Sequence, residues 1–344
     1  MDLVLLLGAH RTGSTALERV LARNAEALGA AGLTFWPQAE LRRDRAFNEA
    51  FALTRRAVRN PAARAALEGL SGQLGARWQA AAQAMRGVLL SEENMLGHMA
   101  ANLRHGDFYP SVAARLRAYA ALLPAPPRRI GLGIRSYAEY WVSAYRYSLP
   151  RHDLAEFSVL RGALAAQRRG WCDLVTDIAA VFPEAELLVW PQEALAAELP
   201  AIAARLIGYP PEAPALAAPT RRINAAPHAG DAALIHALRR DRPGLKGADL
   251  AAALAPLRTA DAPATRQPDQ DFTDEQYRGF ARRYAEDLDA LAEGHAGARL
   301  IARPGDEAPP DGSGGEQKVP ARRGTARMAA PAPEPRPGDE REAR

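Results

Sequence analysis

Lysine is nearly missing from this chain: only Lys246 and Lys318 are lysines, and the other basic side chains are arginines. Charge that grips an anion must therefore come from guanidinium groups, which bind oxyanions as planar forks and not as point charges. Cysteine is represented by Cys172 alone, which excludes an intramolecular disulfide and a cysteine-built metal centre. No apolar run reaches the ~18 residues of a membrane helix. The apolar run at 3–7 has neither a basic start nor a small-residue cleavage site, so it does not read as a leader. The expectation is a soluble, cytoplasmic protein without stable membrane insertion. A stripe of basic residues interleaved with aromatics is also lacking, so nucleic acid is not an expected partner. A net charge of +4 over 344 residues is modest and fits a local basic pocket for a small anion.

What is present is alternation. Residues 3–7 are continuously apolar and end at Gly8, as a strand buried on both faces does. Similar runs occupy 87–91, 129–135 and 186–190, with weaker ones at 32–36 and 298–301. Helical stretches lie between them. The first places Ala16, Leu17, Val20 and Leu21 on one side. An alanine- and arginine-rich region at 45–85 is broken at Pro61. Further helices are expected at 110–122 and 137–148, before Phe182-Pro183, up to Leu206 ahead of Gly208, and across 230–295. This order predicts an α/β fold in three layers, α/β/α, with a mainly parallel central sheet and helical insertions. From Arg303 the composition turns to Pro, Gly and Ala, with eight basic and eight acidic side chains in 303–344. Such a segment buries too little apolar surface to offset its ordering entropy. The expected division is a folded domain at 1–302 and a disordered tail at 303–344.

The segment Gly8-Ala9-His10-Arg11-Thr12-Gly13-Ser14-Thr15 joins the first strand to the first helix. Against the phosphate-loop pattern G-x-x-x-x-G-K-[ST], Gly8, Gly13 and Thr15 fit, and Ser14 stands at the lysine position. The glycines and the strand-to-helix context favour a turn whose backbone N–H groups converge on an anion at a helix N-terminus. A plain glycine turn with a hydroxyl cap is the simpler alternative. The missing lysine argues against a Mg-ATP enzyme, in which charge neutralisation is most of the catalysis.

Arg11-Thr12-Gly13-Ser14-Thr15 resembles the loop with which sulfotransferases hold the 5′-phosphosulfate of 3′-phosphoadenosine 5′-phosphosulfate (PAPS): a basic residue, one residue, glycine, then two hydroxyl residues. The resemblance implies a P-loop NTPase-like fold. It also implies that the backbone N–H groups of Thr12, Gly13, Ser14 and Thr15, with the Ser14 and Thr15 hydroxyls, hold the 5′-phosphate. Arg11 would stand at the bridging oxygen, where charge builds as the sulfonate departs; many family members carry Lys there. Arg135 ends the run at 129–135, and Ser143 follows eight residues later in the next helix. Sulfotransferases hold the 3′-phosphate with an Arg and a Ser at this separation, and an Arg fork suits phosphate oxygens. Tyr137, Tyr140, Trp141, Ala144 and Tyr145 form that helix's core stripe, and Ser143 lies off it. Arg222 matches a basic segment that closes over the 3′-phosphate in the family; a solvated loop is the alternative.

Ser91-Glu92-Glu93-Asn94 follows the run at 87–91. It resembles the Ser-Ser-Glu stretch of bacterial and carbohydrate sulfotransferases, whose Glu is the base that takes the acceptor's proton. The alignment favours Glu93, with Glu92 and His98 as the other candidates. Acids after a strand also suit a helix N-terminus through the macrodipole alone. Glu193 reads as a structural tie. The helix at 273–293 reads as a docking helix with Phe280, Tyr284, Leu288 and Leu291 inward. His10 either touches substrate or faces solvent. The resemblance spans 3–302 and implies metal-free transfer of a sulfonate from PAPS to a hydroxyl, secondarily an amine. The acceptor would be a small molecule, carbohydrate or lipid, in a pocket built from 38–85 and 147–170. A P-loop-type nucleotide-dependent small-molecule kinase and a non-catalytic nucleotide-binding protein of the same fold are the alternatives.

Overall fold

The alternating apolar runs become six strands: β1 Asp2–Leu6, β2 Leu33–Trp36, β3 Gly87–Ser91, β4 Arg129–Ile134, β5 Glu186–Pro191 and β6 Arg299–Leu300. In the computed structural model, which describes residues 2–57, 60–210, 214–218, 231–257 and 271–302, all six pair in parallel in the order β2-β3-β1-β4-β5-β6. Arg222 and the segment 303–344 lie outside the described residues.

Parallel neighbours need crossovers, and helices supply them. In chain order these are α1 Ser14–Arg23, α2 Ala25–Ala30, α3 Gln38–Arg43, α4 Arg45–Ala57, α5 Pro61–Ala84, α6 Met99–His105 and α7 Val112–Ala120. Then come α8 Tyr137–Ser148, α9 Phe157–Ala165, α10 Trp171–Val181, α11 Leu195–Ile207, α12 Asp231–Asp241, α13 Gly247–Leu254 and α14 Asp274–Ala292. The break at Pro61 is the start of α5, where proline's missing N–H would have no intrahelical acceptor anyway.

Strand side chains alternate between faces, and the core divides accordingly. Leu3, Leu5, Val88, Leu90 and Ile130 join the cluster under α5 to α8, α10 and α14, while Val4, Leu6, Leu89 and Trp190 join that under α1 and α11. Helices therefore cover both faces, giving three layers. Helix α1 leaves β1 toward one face, and the connection from β3 to β4 covers the other. A crevice opens at the carboxyl end of β1, as it does where the winding of an open α/β sheet reverses.

Helix α14 docks through Phe280, Tyr284 and Leu291, with Leu288 partly buried against the core. Its N-terminus carries a capping box, with Gln276 N–H donating to Thr273 Oγ1 at 3.3 Å and Thr273 N–H to Gln276 Oε1 at 3.0 Å. Among the described residues no helix is long and apolar enough to cross a membrane.

The sheet is tightest where β3 begins. A Cβ on Gly87 would lie 2.3 Å from the Asp2 carbonyl oxygen and 2.8 Å from Asp2 Cβ. Backbone cannot swing aside as a side-chain tip can. Gly87→Ala is expected to cost about 1–3 kcal/mol, the usual range for overpacking. A thermal melt checks this, and an unchanged melting temperature would show that the β1–β3 pairing yields without cost.

Candidate functional site

The crevice is built on the turn after β1. Three of its residues adopt positive φ: Gly8 at 38°, Arg11 at 64° and Gly13 at 90°. The positive φ is what favours glycine at Gly13; a Cβ there would also fall 2.2 Å from Leu195 Cδ1, a side-chain tip that would have to move. Thr12 closes the turn from inside. Its N–H donates to the Ala9 carbonyl at 3.3 Å, its hydroxyl donates to the same oxygen, and the residue is 1% exposed. Gly133 of β4 makes room for it, since a Cβ there would approach Thr12 Oγ1 to 2.8 Å. The Thr12 side chain is thus part of the scaffold, whereas Arg11, Gly13, Ser14 and Thr15 border the crevice. Gly13 caps α1 without any side-chain hydrogen bond, and the first turn holds no acid. That end keeps its partial positive charge toward the cavity.

This first cavity has a volume of about 220 Å³. Arg135 enters it from the end of β4, and the Arg135 carbonyl is fixed by the Trp171 Nε1–H at 2.8 Å. Arg135 donates to the Arg11 carbonyl at 3.1 Å and to Glu139 at 3.2 Å. Its Nε is buried with no hydrogen-bond partner. Arg11 Nε donates to Ser143 Oγ at 2.9 Å, and its guanidinium lies 4.9 Å from the Tyr147 ring centroid. Arg135 and Ser143 are thus both brought to the loop, each through Arg11; among the described residues no hydrogen bond joins them directly. Burial, then the adjacent Arg135 guanidinium, holds the Arg11 pKa below the ordinary guanidinium value. A bound anion would relieve both effects.

The two adjacent carboxylates occupy different settings. Glu92 is 2% exposed, accepts the Asn94 N–H at 2.9 Å, and takes two bonds from Arg42 at 3.0 and 3.3 Å. It caps the 3₁₀ turn Glu93–Met95. Glu93 borders the cavity and accepts the Ser14 hydroxyl at 3.4 Å, with Arg42 at 3.8 Å and His10 Nε2 at 3.9 Å. His10 does not face solvent. It is 5% exposed, with Nδ1 2.8 Å and its backbone N–H 3.0 Å from the Tyr109 hydroxyl. Burial, then neighbouring Tyr140, pushes the Tyr109 phenol well up, so this anchor stays un-ionised.

A second cavity of about 360 Å³ shares His10, Arg42, Glu93, Met99 and Tyr147 with the first. His98 borders this one and not the first. The region 38–85 contributes Arg42 to its lining, and 147–170 contributes Tyr147, Ser148, Arg151 and His152. The wall made by α6 was not foreseen, because a seven-residue helix gives too short a period to read. Arg42 and Tyr147 were also missed. Nothing marks Arg42 in its helix. Tyr147, however, lies four residues beyond Ser143, which places it on the same helical face.

Glu193 is the tie that the sequence suggests. Its carboxylate accepts the Ser136 N–H at 3.1 Å and the Tyr284 hydroxyl at 2.9 Å, joining the β4–α8 turn to α14.

Fold and site together define an α/β protein with a basic crevice, edged by a glycine turn, at the carboxyl side of a parallel sheet. No family model, curated protein or solved structure matches the chain. Among the described residues no group of three or more His, Cys, Asp or Glu side chains is placed to hold a metal ion.

Proposed function

We propose that the chain is a sulfotransferase with a P-loop NTPase-like core, moving a sulfonate from PAPS to an acceptor hydroxyl, or secondarily an amine. The observation that carries this reading is the pair Arg11 and Arg135. They are held together at the glycine turn, the buried Arg135 Nε lacks a partner, and Arg11 has no carboxylate within ion-pair reach among the described residues. Two crowded guanidiniums beside an uncapped helix end fit a ligand with more than one anionic group. PAPS is such a ligand, with phosphate at both ends of its ribose.

In this reading the N–H groups of Gly13, Ser14 and Thr15 hold the 5′-phosphate, and Arg135 holds the 3′-phosphate. The acceptor oxygen attacks sulfur as the bond from sulfur to the 5′-phosphate oxygen breaks, and 3′,5′-diphosphoadenosine leaves. Glu93 takes the acceptor's proton. Arg11 stabilises charge on the departing oxygen. Ser143 acts one step back, by aiming Arg11. The kinase alternative is weakened at Ser14, which occupies the lysine position of the ATP-binding pattern and donates its hydroxyl to Glu93.

The test is a thermal shift with 3′,5′-diphosphoadenosine and, separately, ATP with Mg²⁺. A ligand of the folded state raises the melting temperature by mass action. The diphosphate is expected to stabilise the protein, and Arg135→Ala to weaken its binding at least about tenfold, the worth of one charge-assisted hydrogen bond. Stabilisation by ATP–Mg alone, or a diphosphate response unchanged in Arg135→Ala, would overturn the assignment. Diphosphate binding with no transfer to any acceptor would leave a nucleotide-binding protein without catalysis.

A further inference from the structure

The second cavity is charged in one direction. Among the described residues Glu93 is the only carboxylate that lines it, and that group already accepts the Ser14 hydroxyl at 3.4 Å. Around it stand Arg104 from α6 and Arg151 from the segment after α8, both exposed. Neither has a carboxylate within ion-pair reach among the described residues. Arg151 is nonetheless held in place: its Nη1 donates to the Tyr147 carbonyl at 2.8 Å, and its guanidinium sits 4.3 Å from the Tyr147 ring centroid. Tyr147 borders both cavities, with Arg11 over its ring on the first side and Arg151 on the second.

Helix geometry alone explains part of this. Arg104 lies in the last turn of α6, where a cation offsets the macrodipole. That account does not reach Arg151 or His152, which come from a different segment and converge on the same space. Desolvation, then Arg104 and Arg151, then Arg239 and Lys246, hold the His152 imidazole below its usual pKa. Arg104 and Arg151 line this cavity, while Arg239 and Lys246 stand beside His152 in a neighbouring one. Like charges gathered without a counter-charge oppose folding, and an anionic ligand would supply the counter-charge that Arg104 and Arg151 lack.

We propose that this cavity binds the acceptor by an anionic group, a carboxylate or a phosphate, through Arg104 and Arg151, and thereby presents the acceptor's hydroxyl to Glu93. The role of the hydroxyl rests on the sulfotransferase reading; the anion site does not. The acceptor class narrows from any alcohol to hydroxylated acids, and neutral alcohols and neutral lipids are poor fits.

Calorimetry on the full chain tests this with inorganic phosphate as probe, at fixed ionic strength and with the first cavity saturated by 3′,5′-diphosphoadenosine. Phosphate is expected to bind. The double variant Arg104→Ala/Arg151→Ala is expected to bind it at least about tenfold more weakly, with diphosphate affinity changed far less and the melting temperature not lowered, because both side chains are exposed and their mutual repulsion is removed. Glycerate and glycerol 3-phosphate, as competitors, distinguish a carboxylate from a phosphate. Absence of phosphate binding, binding undiminished in the double variant, or equal competition by glycerol would overturn the inference. If the diphosphate fails to bind while phosphate binding still depends on Arg104 and Arg151, the donor assignment falls and the anion site stands.

Discussion

Glu93→Gln is expected to lower the turnover of sulfonate transfer by about 10²–10⁴-fold, the usual contribution of a positioned general base, while diphosphate affinity stays unchanged. The amide keeps the shape of the side chain and an oxygen for the Ser14 hydroxyl, which reaches Glu93 at 3.4 Å. What it cannot do is take a proton. The loss should therefore fall on turnover and not on donor binding. The neighbouring residues serve as controls. Glu92 is engaged by Arg42 and by the Asn94 N–H, so Glu92→Gln should weaken the fold locally more than it slows chemistry. His98→Gln should leave turnover within the range of an acceptor-pocket residue. If His98→Gln produces the large loss and Glu93→Gln does not, His98 is the base.

Arg11→Ala should cost about 10²–10³-fold in turnover, the scale for removing one donor aimed at developing negative charge. Ground-state diphosphate binding should fall less, because Arg135 and the α1 N-terminus remain. Only an interaction stronger in the transition state than before it divides the effects this way. Arg11→Lys should recover part of the loss. Lysine keeps the charge but cannot reproduce the fork that holds the Ser143 hydroxyl. Equal losses in diphosphate affinity and turnover, with no recovery by lysine, would make Arg11 a scaffold residue. Its backbone φ of 64° suits that role too, so the lysine variant is the informative one.

The parallel sheet was legible because buried parallel strands are continuous apolar runs; the order of its strands was not. The span of β3 and that of α8 fall where the sequence places them, while β4 ends at Ile134, one residue short of the expected Arg135. Glu93 and Arg135 were legible for the same reason: they stand just past strands, and strand ends converge on one crevice. Ser143 was found by its spacing from Arg135, but its partner could not be foreseen. That Arg11 intervenes is a matter of side-chain packing, which short motifs do not encode. The second cavity was the least legible. It is made by α6, by Arg42 and by the segment after α8, three pieces far apart in the chain and each too short to show a period. Arg104, Arg151 and His152 look like ordinary surface charge until the fold brings them together.

The Glu193 tie has a consequence for the life of the nascent chain. The glycine turn, Glu93 and Arg135 are all made in the first half of synthesis, yet the turn that carries Arg135 is pinned to Tyr284 through Glu193. Tyr137 on the same turn bonds to Asp287, further along α14. A ribosome-bound chain that has not yet released α14 carries every residue of the proposed chemistry, and Trp171 and Glu193 already hold the Arg135 turn, but the brace from Tyr284 and Asp287 is missing. The crevice is thus braced only once α14 has been made, well after the residues it serves.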